Sequence, residues 1–290
     1  MEAYMLGGLL VQFDTAGYPF KPGIFMERFR YTGPWKGQTL LLQAHIEPLA
    51  LYTAYPKLGS GEFHDIYDVN GEPLIVYHWA YLKNAYAVWA ERDRGHVCSF
   101  DPEIFNQPPM DADWFFGISG LQKALLHQNR PILHASYVGW QNQAILFAAP
   151  SQTGKSTQAS LWQQYAGADI INGDRVLLGK DQGRWYAYGY PNCGSSNICK
   201  NIHLPIRAIV ILRQGQDNVI QPLTQGQISR NLVAGFALHR WQDKDIDLAF
   251  SLAQDIACQV PVLEFCCRPD SDAVAKLRQY LEDTDCGKIQ

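Results

Sequence analysis

"APSQTGKST", residues 149–157, decides the reading of this chain. Four residues separate Ala149 from Gly154-Lys155-Ser156, a spacing used by loops that wrap nucleotide phosphates. Ordinary residue frequencies produce that pattern in roughly one chain in fifty of this size, so the flanking sequence has to decide. An apolar run, Ala144-Ile145-Leu146-Phe147-Ala148-Ala149, feeds the loop. A helical run starts at Lys155 and sets Ala159, Trp162 and Tyr165 on one face. The result is a strand, a glycine-bearing loop and a helix, the context the chemistry requires.

A triphosphate carries several negative charges, and consecutive backbone N–H groups at a helix N-terminus offer donors converging on one point, helped by the helix dipole. The residues assigned to that cradle are Ser151, Gln152, Thr153, Gly154, Lys155, Ser156 and Thr157. Lys155 adds a point charge for the β- and γ-phosphates, and the Ser156 hydroxyl is a ligand for Mg²⁺. Gly154 lets the backbone approach closely, since a side chain there would intrude. The competing reading is a polar helix cap on a core strand.

Magnesium held by phosphate and Ser156 alone lacks a carboxylate. "GADIINGDRVLL" supplies Asp174, 19 positions after Lys155. A parallel strand beside the loop would deliver it. Taken by itself, the Asn172-Gly173-Asp174 stretch reads equally as a turn into Val176-Leu177-Leu178, with the carboxylate capping it.

Composition limits the alternatives. The 290 residues are 47% hydrophobic and 12% aromatic, enough for a substantial core, and the net charge of −4 gives no overall attraction to nucleic acid or an anionic membrane. The start, Met1-Glu2-Ala3-Tyr4, lacks a basic leader, and no apolar run reaches the ~18 residues of a membrane span. A cytoplasmic protein is expected. The seven cysteines, with no CxxC pair, suggest neither a disulfide frame nor a zinc site. The vicinal Cys266-Cys267 reads as buried strand thiols.

Up to about residue 110, short β-branched and aromatic runs alternate with turn formers. Strands are expected over 9–13, 39–45, 63–67, 73–78, 85–90 and 97–100, with a hairpin turn at Asn70-Gly71. "FNQPPMDADW" (105–114) reads as a linker, dividing a β-rich region, 1–110, from residues 111–290. Substrate recognition is one role open to the first region. Beyond the linker, helices are expected over 115–127, 155–165, 228–236, 246–258 and 271–281. Strands are expected over 132–138, 144–149, 169–171, 176–178, 207–212 and 260–266. In "YPNCGSSNICKN" the composition is that of a loop, with Lys200 and Arg207 as candidate phosphate contacts. His203, His239 and "HRWQDKD" (239–245) show no metal-ligand spacing.

"ILHASYVGWQNQAILFAAPSQTGKST" followed by "YAGADIINGDRVLL" resembles the HPr kinase/phosphorylase family and the HPr-kinase-like enzymes that modify peptides, within the phosphoenolpyruvate carboxykinase superfamily. The resemblance spans roughly residues 115–290. It implies an α/β fold, a P-loop mixed sheet of the HPr-kinase/carboxykinase type, with the β-rich N-terminal subdomain added. It also implies ATP, with GTP as the alternative nucleotide, and Mg²⁺ as cofactors.

The activity implied is transfer of the γ-phosphoryl group to a serine or threonine hydroxyl of a peptide or small protein. His134, 21 residues before Lys155, and Lys155 and Asp174 are then catalytic, and Ser156 and Asp174 hold the metal. The family's double acid is Gly173-Asp174 here, which leaves His134 as the general base and favours, as an alternative, a nucleotide-binding regulatory or scaffold protein without transfer activity. A carboxykinase acting on oxaloacetate would need an arginine cluster that the chain lacks. No nucleic-acid or membrane partner is expected, and assembly into homo-oligomers is left open.

Overall fold

The computed structural model describes residues 1–17, 20–21, 23–49, 52–79, 82–92, 95–103, 110–238 and 240–285. The linker residues 105–109, His239 and Cys286 lie outside them. The chain divides into two compact units, Met1–Ala124 and Leu125–Gln290. The fold is mixed α/β, and among the described residues no helix is long and apolar enough to cross a membrane.

The first unit contains β1 (Glu2–Leu6), β2 (Leu9–Asp14), β3 (Phe20–Lys21), β4 (Thr39–Ile46), β5 (Lys57–Ser60), β6 (His64–Val69), β7 (Glu72–Trp79), β8 (Leu82–Arg92), β9 (Gly95–Phe100) and β10 (Met110–Asp111). Eight of them form one sheet in the order β1-β2-β4-β9-β8-β7-β6-β5, with β3 paired to β10 separately. Asn70 and Gly71 both take positive φ, 56° and 88°, which closes the tight turn joining β6 to β7. Phe13, buried on β2, meets Phe115 edge to face at 5.2 Å. Strand β1 lacked a sequence signal beyond Tyr4 and Leu6, which are fully buried.

The helix expected over 115–127 is two: α1 (Ala112–Ile118) and α2 (Leu121–His127). Gly120 separates them at φ 71°, a conformation that ends a right-handed helix. A Cβ there would also run into the Trp89 ring.

The second unit continues with β11 (Ile132–Trp140), β12 (Gln143–Ala148), α3 (Lys155–Ala166), β13 (Asp169–Asn172), β14 (Arg175–Asp181), β15 (Arg184–Tyr188), β16 (His203–Gln214), β17 (Val219–Pro222), α4 (Gln225–Gly235), α5 (Asp243–Gln259), β18 (Val262–Cys267) and α6 (Ser271–Asp285). Strand order is β12-β11-β14-β15-β16-β18-β17, with β13 on β11 and a further pairing of β12 with β16. Gln141 and Asn142, at φ 50° and 57°, make the two-residue turn of the β11–β12 hairpin.

Strand β12 is covered on both faces, and its alternation shows it. Ala144, Leu146 and Ala148 belong to the core shared with Leu232 of α4 and Ile256 of α5. Ile145 and Phe147 belong to the opposite core, with Trp162 of α3 and Leu277 of α6. Trp162, fully buried, packs edge to face on Trp140 at 5.3 Å and against Phe147 at 6.1 Å. Tyr165, expected on that same face, is 51% exposed instead. Each step of three residues falls about 60° short of a full turn, so two steps carry Tyr165 about 120° around the helix from Ala159 and off the contact stripe.

Candidate functional site

Three strands set the site's edge. β12, β16 and β18 run parallel, so their C-terminal ends, and the loops that follow, open on one side of the sheet. β11 runs antiparallel to β12, with Ala135 opposite Ala148, which brings His134 level with Ala149 at the entry to the loop. β14 is antiparallel to β11 with Arg175 opposite His134, so Asp174 arrives beside the histidine. A parallel strand was expected to deliver Asp174; antiparallel pairing with the histidine strand does so instead. β13 continues the same register on β11, with Tyr137 opposite Asn172, and the one irregularity, Ile171 left over between Asn172 and Ile170, lies beyond the site.

Residues 149–154 turn from β12 into α3 with two residues in the left-handed region, Gln152 at φ 64° and Gly154 at φ 111°. The Gly154 value is one that a side chain adopts at a cost, which explains the glycine. No side chain caps α3, and the first intrahelical bond runs from Gln158 N–H to the Gly154 carbonyl, 2.9 Å. The N–H groups of the first turn are therefore available as donors to an anion. Lys155 is buried, and its Nζ donates to the Ala149 and Pro150 carbonyls at 2.9 and 3.2 Å. Burial holds its pKa below the usual lysine value, with the Asp174 charge acting the other way.

His134 Nε2 and Asp174 Oδ1 are hydrogen-bonded at 2.9 Å, and Arg175 Nε lies 3.6 Å from Asp174 Oδ2. The Asp174 carboxyl is held below its ordinary range, first by the His134 hydrogen bond, against the effect of burial, and then by the charges of His134, Arg175 and Lys155. Its position is fixed by Asn172, which is fully buried. The Asn172 Oδ1 accepts from the N–H groups of Asp174 (2.8 Å) and Arg175 (2.9 Å), while Nδ2 donates to the Tyr190 carbonyl at 2.7 Å. The turn is thus capped by Asn172, and the Asp174 carboxylate is left for the histidine.

These groups share one cavity of about 300 Å³, walled by His134, Asp174 and residues of the phosphate-loop stretch, Ser151, Gln152, Gly154, Lys155, Ser156 and Thr157, with Ser195 opposite. Thr153 faces the neighbouring cavity on the other side of the loop. Ser195 belongs to a 3₁₀ turn, Gly194–Ser196, pressed against the acid: a Cβ on Gly194 would come within 3.0 Å of Asp174 Cβ. The same turn fills the space beside Gly173, where a Cβ would overlap Ser196 Oγ and Cβ.

The other sequence candidates are elsewhere. Lys200 pairs with Asp169, and Arg207 is buried over the Trp140 ring at 5.5 Å, donating to the Leu281 carbonyl. His203 stacks on Tyr188. Cys267 is buried, but Cys266 is partly exposed, because neighbouring strand residues face opposite ways. Sequence reasoning did not single out Asn172, Ser195 or Gln158. For Asn172 a signal existed, an Asn-Gly pair between apolar runs, the setting of a turn in which the Asn side chain bonds the backbone N–H two residues on.

No ring of three or more His, Cys, Asp or Glu side chains that could hold a metal exists among the described residues. Ser156 and Asp174 on one cavity fit an ion that takes its remaining ligands from phosphate and water, as Mg²⁺ does.

No protein-family model matches the chain, and no curated protein does. A solved structure, the Hpr(Ser) kinase/phosphatase from Coxiella burnetii, is similar over 54% of this chain and 95% of its own, at 11% identity and a TM-score of 0.31. A likeness of that score does not discriminate among mixed α/β topologies, so the geometry of the cavity has to bear the functional reading.

Proposed function

We propose that the second unit binds ATP with Mg²⁺ and transfers the γ-phosphoryl group to a serine or threonine hydroxyl of a peptide or small protein. The observation that supports it is the convergence on one cavity of Lys155, Ser156 and the His134–Asp174 pair, bonded at 2.9 Å. Phosphoryl transfer needs charge neutralisation and positioning more than covalent chemistry, and these are the groups for it.

On this reading, main-chain N–H groups of residues 151–156 grip the phosphates, and Lys155 exchanges its loop carbonyls for phosphate oxygens. Mg²⁺, held by Ser156 and Asp174 Oδ2, would neutralise charge on the β- and γ-phosphates. His134, whose Nε2–H is donated to Asp174 Oδ1, takes the proton from the acceptor hydroxyl at Nδ1, and Asp174 Oδ1 steadies the imidazolium that forms. A carboxylate has an oxygen for each task.

The rival reading, a nucleotide-binding regulatory protein without transfer, is favoured by one feature: Gly173 stands where the resembled family carries an acid, and Ser196 fills that place. Two measurements separate them. Titration of the full chain and of Lys155→Ala with Mg·ATP should show a loss of affinity of about 100-fold; undiminished affinity in the variant refutes the phosphate placement. Mass spectrometry of a serine-bearing peptide library after incubation with γ-labelled ATP should show transfer that His134→Gln reduces at least 100-fold while ATP affinity stays within threefold. Binding without label on any peptide establishes the rival.

A further inference from the structure

The phosphate loop has a second cavity on the side away from His134 and Asp174. It measures about 340 Å³ and is walled by Thr157, Gln158, Gln214, Gly215, Cys267 and Arg268, together with the loop itself. Its walls come from the ends of β16 and β18 and the first turn of α3, so it opens on the same C-terminal edge of the parallel strands as the phosphate cavity. The phosphoryl-transfer groups occupy the β11 side of the loop. For a nucleotide with its γ-phosphate there, the second cavity leaves room for the nucleoside on the β18 side.

One side chain in that wall points to what the cavity takes. Gln158 is 3% exposed, and its Nε2 donates to Cys267 Sγ at 3.2 Å and to the Arg268 carbonyl at 3.3 Å. The Arg268 carbonyl can only accept, which fixes the amide's orientation and leaves Oε1 on the other side. That Oε1 is buried with no hydrogen-bond partner. A desolvated acceptor without a donor is costly, and a ligand that brings an N–H removes the cost.

We propose that this cavity is the nucleoside subsite and that Gln158 selects adenine, its Oε1 accepting from the exocyclic 6-amino group. The proposal rests on the phosphate-loop reading above. A base with a 6-oxo group, hypoxanthine or guanine, sets an acceptor against an acceptor.

The test is calorimetric titration of the full chain with Mg·ATP, Mg·ITP and magnesium tripolyphosphate, repeated on Gln158→Leu. The wild type is expected to prefer ATP to ITP by at least tenfold, equivalent to about 1.4 kcal/mol. The variant is expected to lose that preference through weaker ATP binding, with tripolyphosphate unchanged. Failure of tripolyphosphate to bind overturns the phosphate-loop reading and this one with it. Binding of tripolyphosphate with ATP and ITP equal in the wild type overturns the nucleoside assignment alone, and that comparison needs no variant to fold. ATP affinity unchanged in a folded Gln158→Leu overturns the role of Gln158.

Discussion

Placing a side chain at position 173 sets a steric problem that the structure defines closely. Gly173 does not use the left-handed region, so its backbone would accept alanine without strain. The obstacle is Ser196, whose Oγ and Cβ occupy the volume of the new methyl group. Moving Oγ alone is insufficient, because the Ser196 Cβ is fixed to the turn, so the 3₁₀ turn has to shift. That breaks the Ser196 Oγ bond to the Cys193 carbonyl (2.6 Å) and the bond from Ile198 N–H to Ser196 Oγ (3.2 Å). Two hydrogen bonds of about 0.5–1.5 kcal/mol each, plus an overpacking cost of about 1–3 kcal/mol, put Gly173→Ala at about 2–6 kcal/mol of lost stability. Ser196→Gly already forfeits those bonds and empties the space. The double variant should therefore cost less than the sum of the singles by about the whole Gly173→Ala cost, roughly 2–6 kcal/mol. Chemical denaturation of the four proteins gives the cycle. Additive costs within 0.3 kcal/mol would show that Ser196 does not exclude a side chain at 173, and the account of why an acid is absent there would fall.

Other substitutions probe the scaffold of the site. Trp162→Ala should cost about 3–5 kcal/mol, as for other buried aromatic truncations. Trp162→Phe should cost much less, because the buried indole N–H has no partner to lose; denaturation midpoints compare the two. Asn172→Ala strips the bonds to Asp174, Arg175 and Tyr190 and should destabilise by about 2–4 kcal/mol, measured in the same way, and lower phosphoryl transfer more than ATP affinity. Asp270 caps α6, and its carboxyl is held below the usual range by the Ala273 N–H and then by the Asn218 amide. A depressed carboxyl pKa stabilises the fold above the unfolded value and loses that effect as pH falls through the folded one. The difference in thermal midpoint between wild type and Asp270→Asn should therefore shrink below about pH 4, and a pH-independent difference would refute a charge effect.

The sequence was most informative where one segment determines its own conformation. The loop at 149–157, the apolar strand feeding it and the Asn70-Gly71 turn depend on local periodicity and on residues that tolerate positive φ. β17 was hidden because Val219–Pro222 is an edge strand with mostly exposed side chains and no alternating burial. The helix break at Gly120 was hidden because a lone glycine in a helical pattern costs only about 1 kcal/mol, and its decisive neighbour, Trp89, comes from a distant strand. The site shows the same division. Lys155 and Ser156 follow from adjacent residues, whereas the His134–Asp174 pair depends on two antiparallel registers, Ala135 opposite Ala148 and Arg175 opposite His134. A shift of one residue in either register would turn one partner to the other face of the sheet and dissolve the pair. The second register runs on past Asp174 into β13, with Tyr137 opposite Asn172, so the buried amide that orients Asp174 is as much a condition of the proposed chemistry as the histidine.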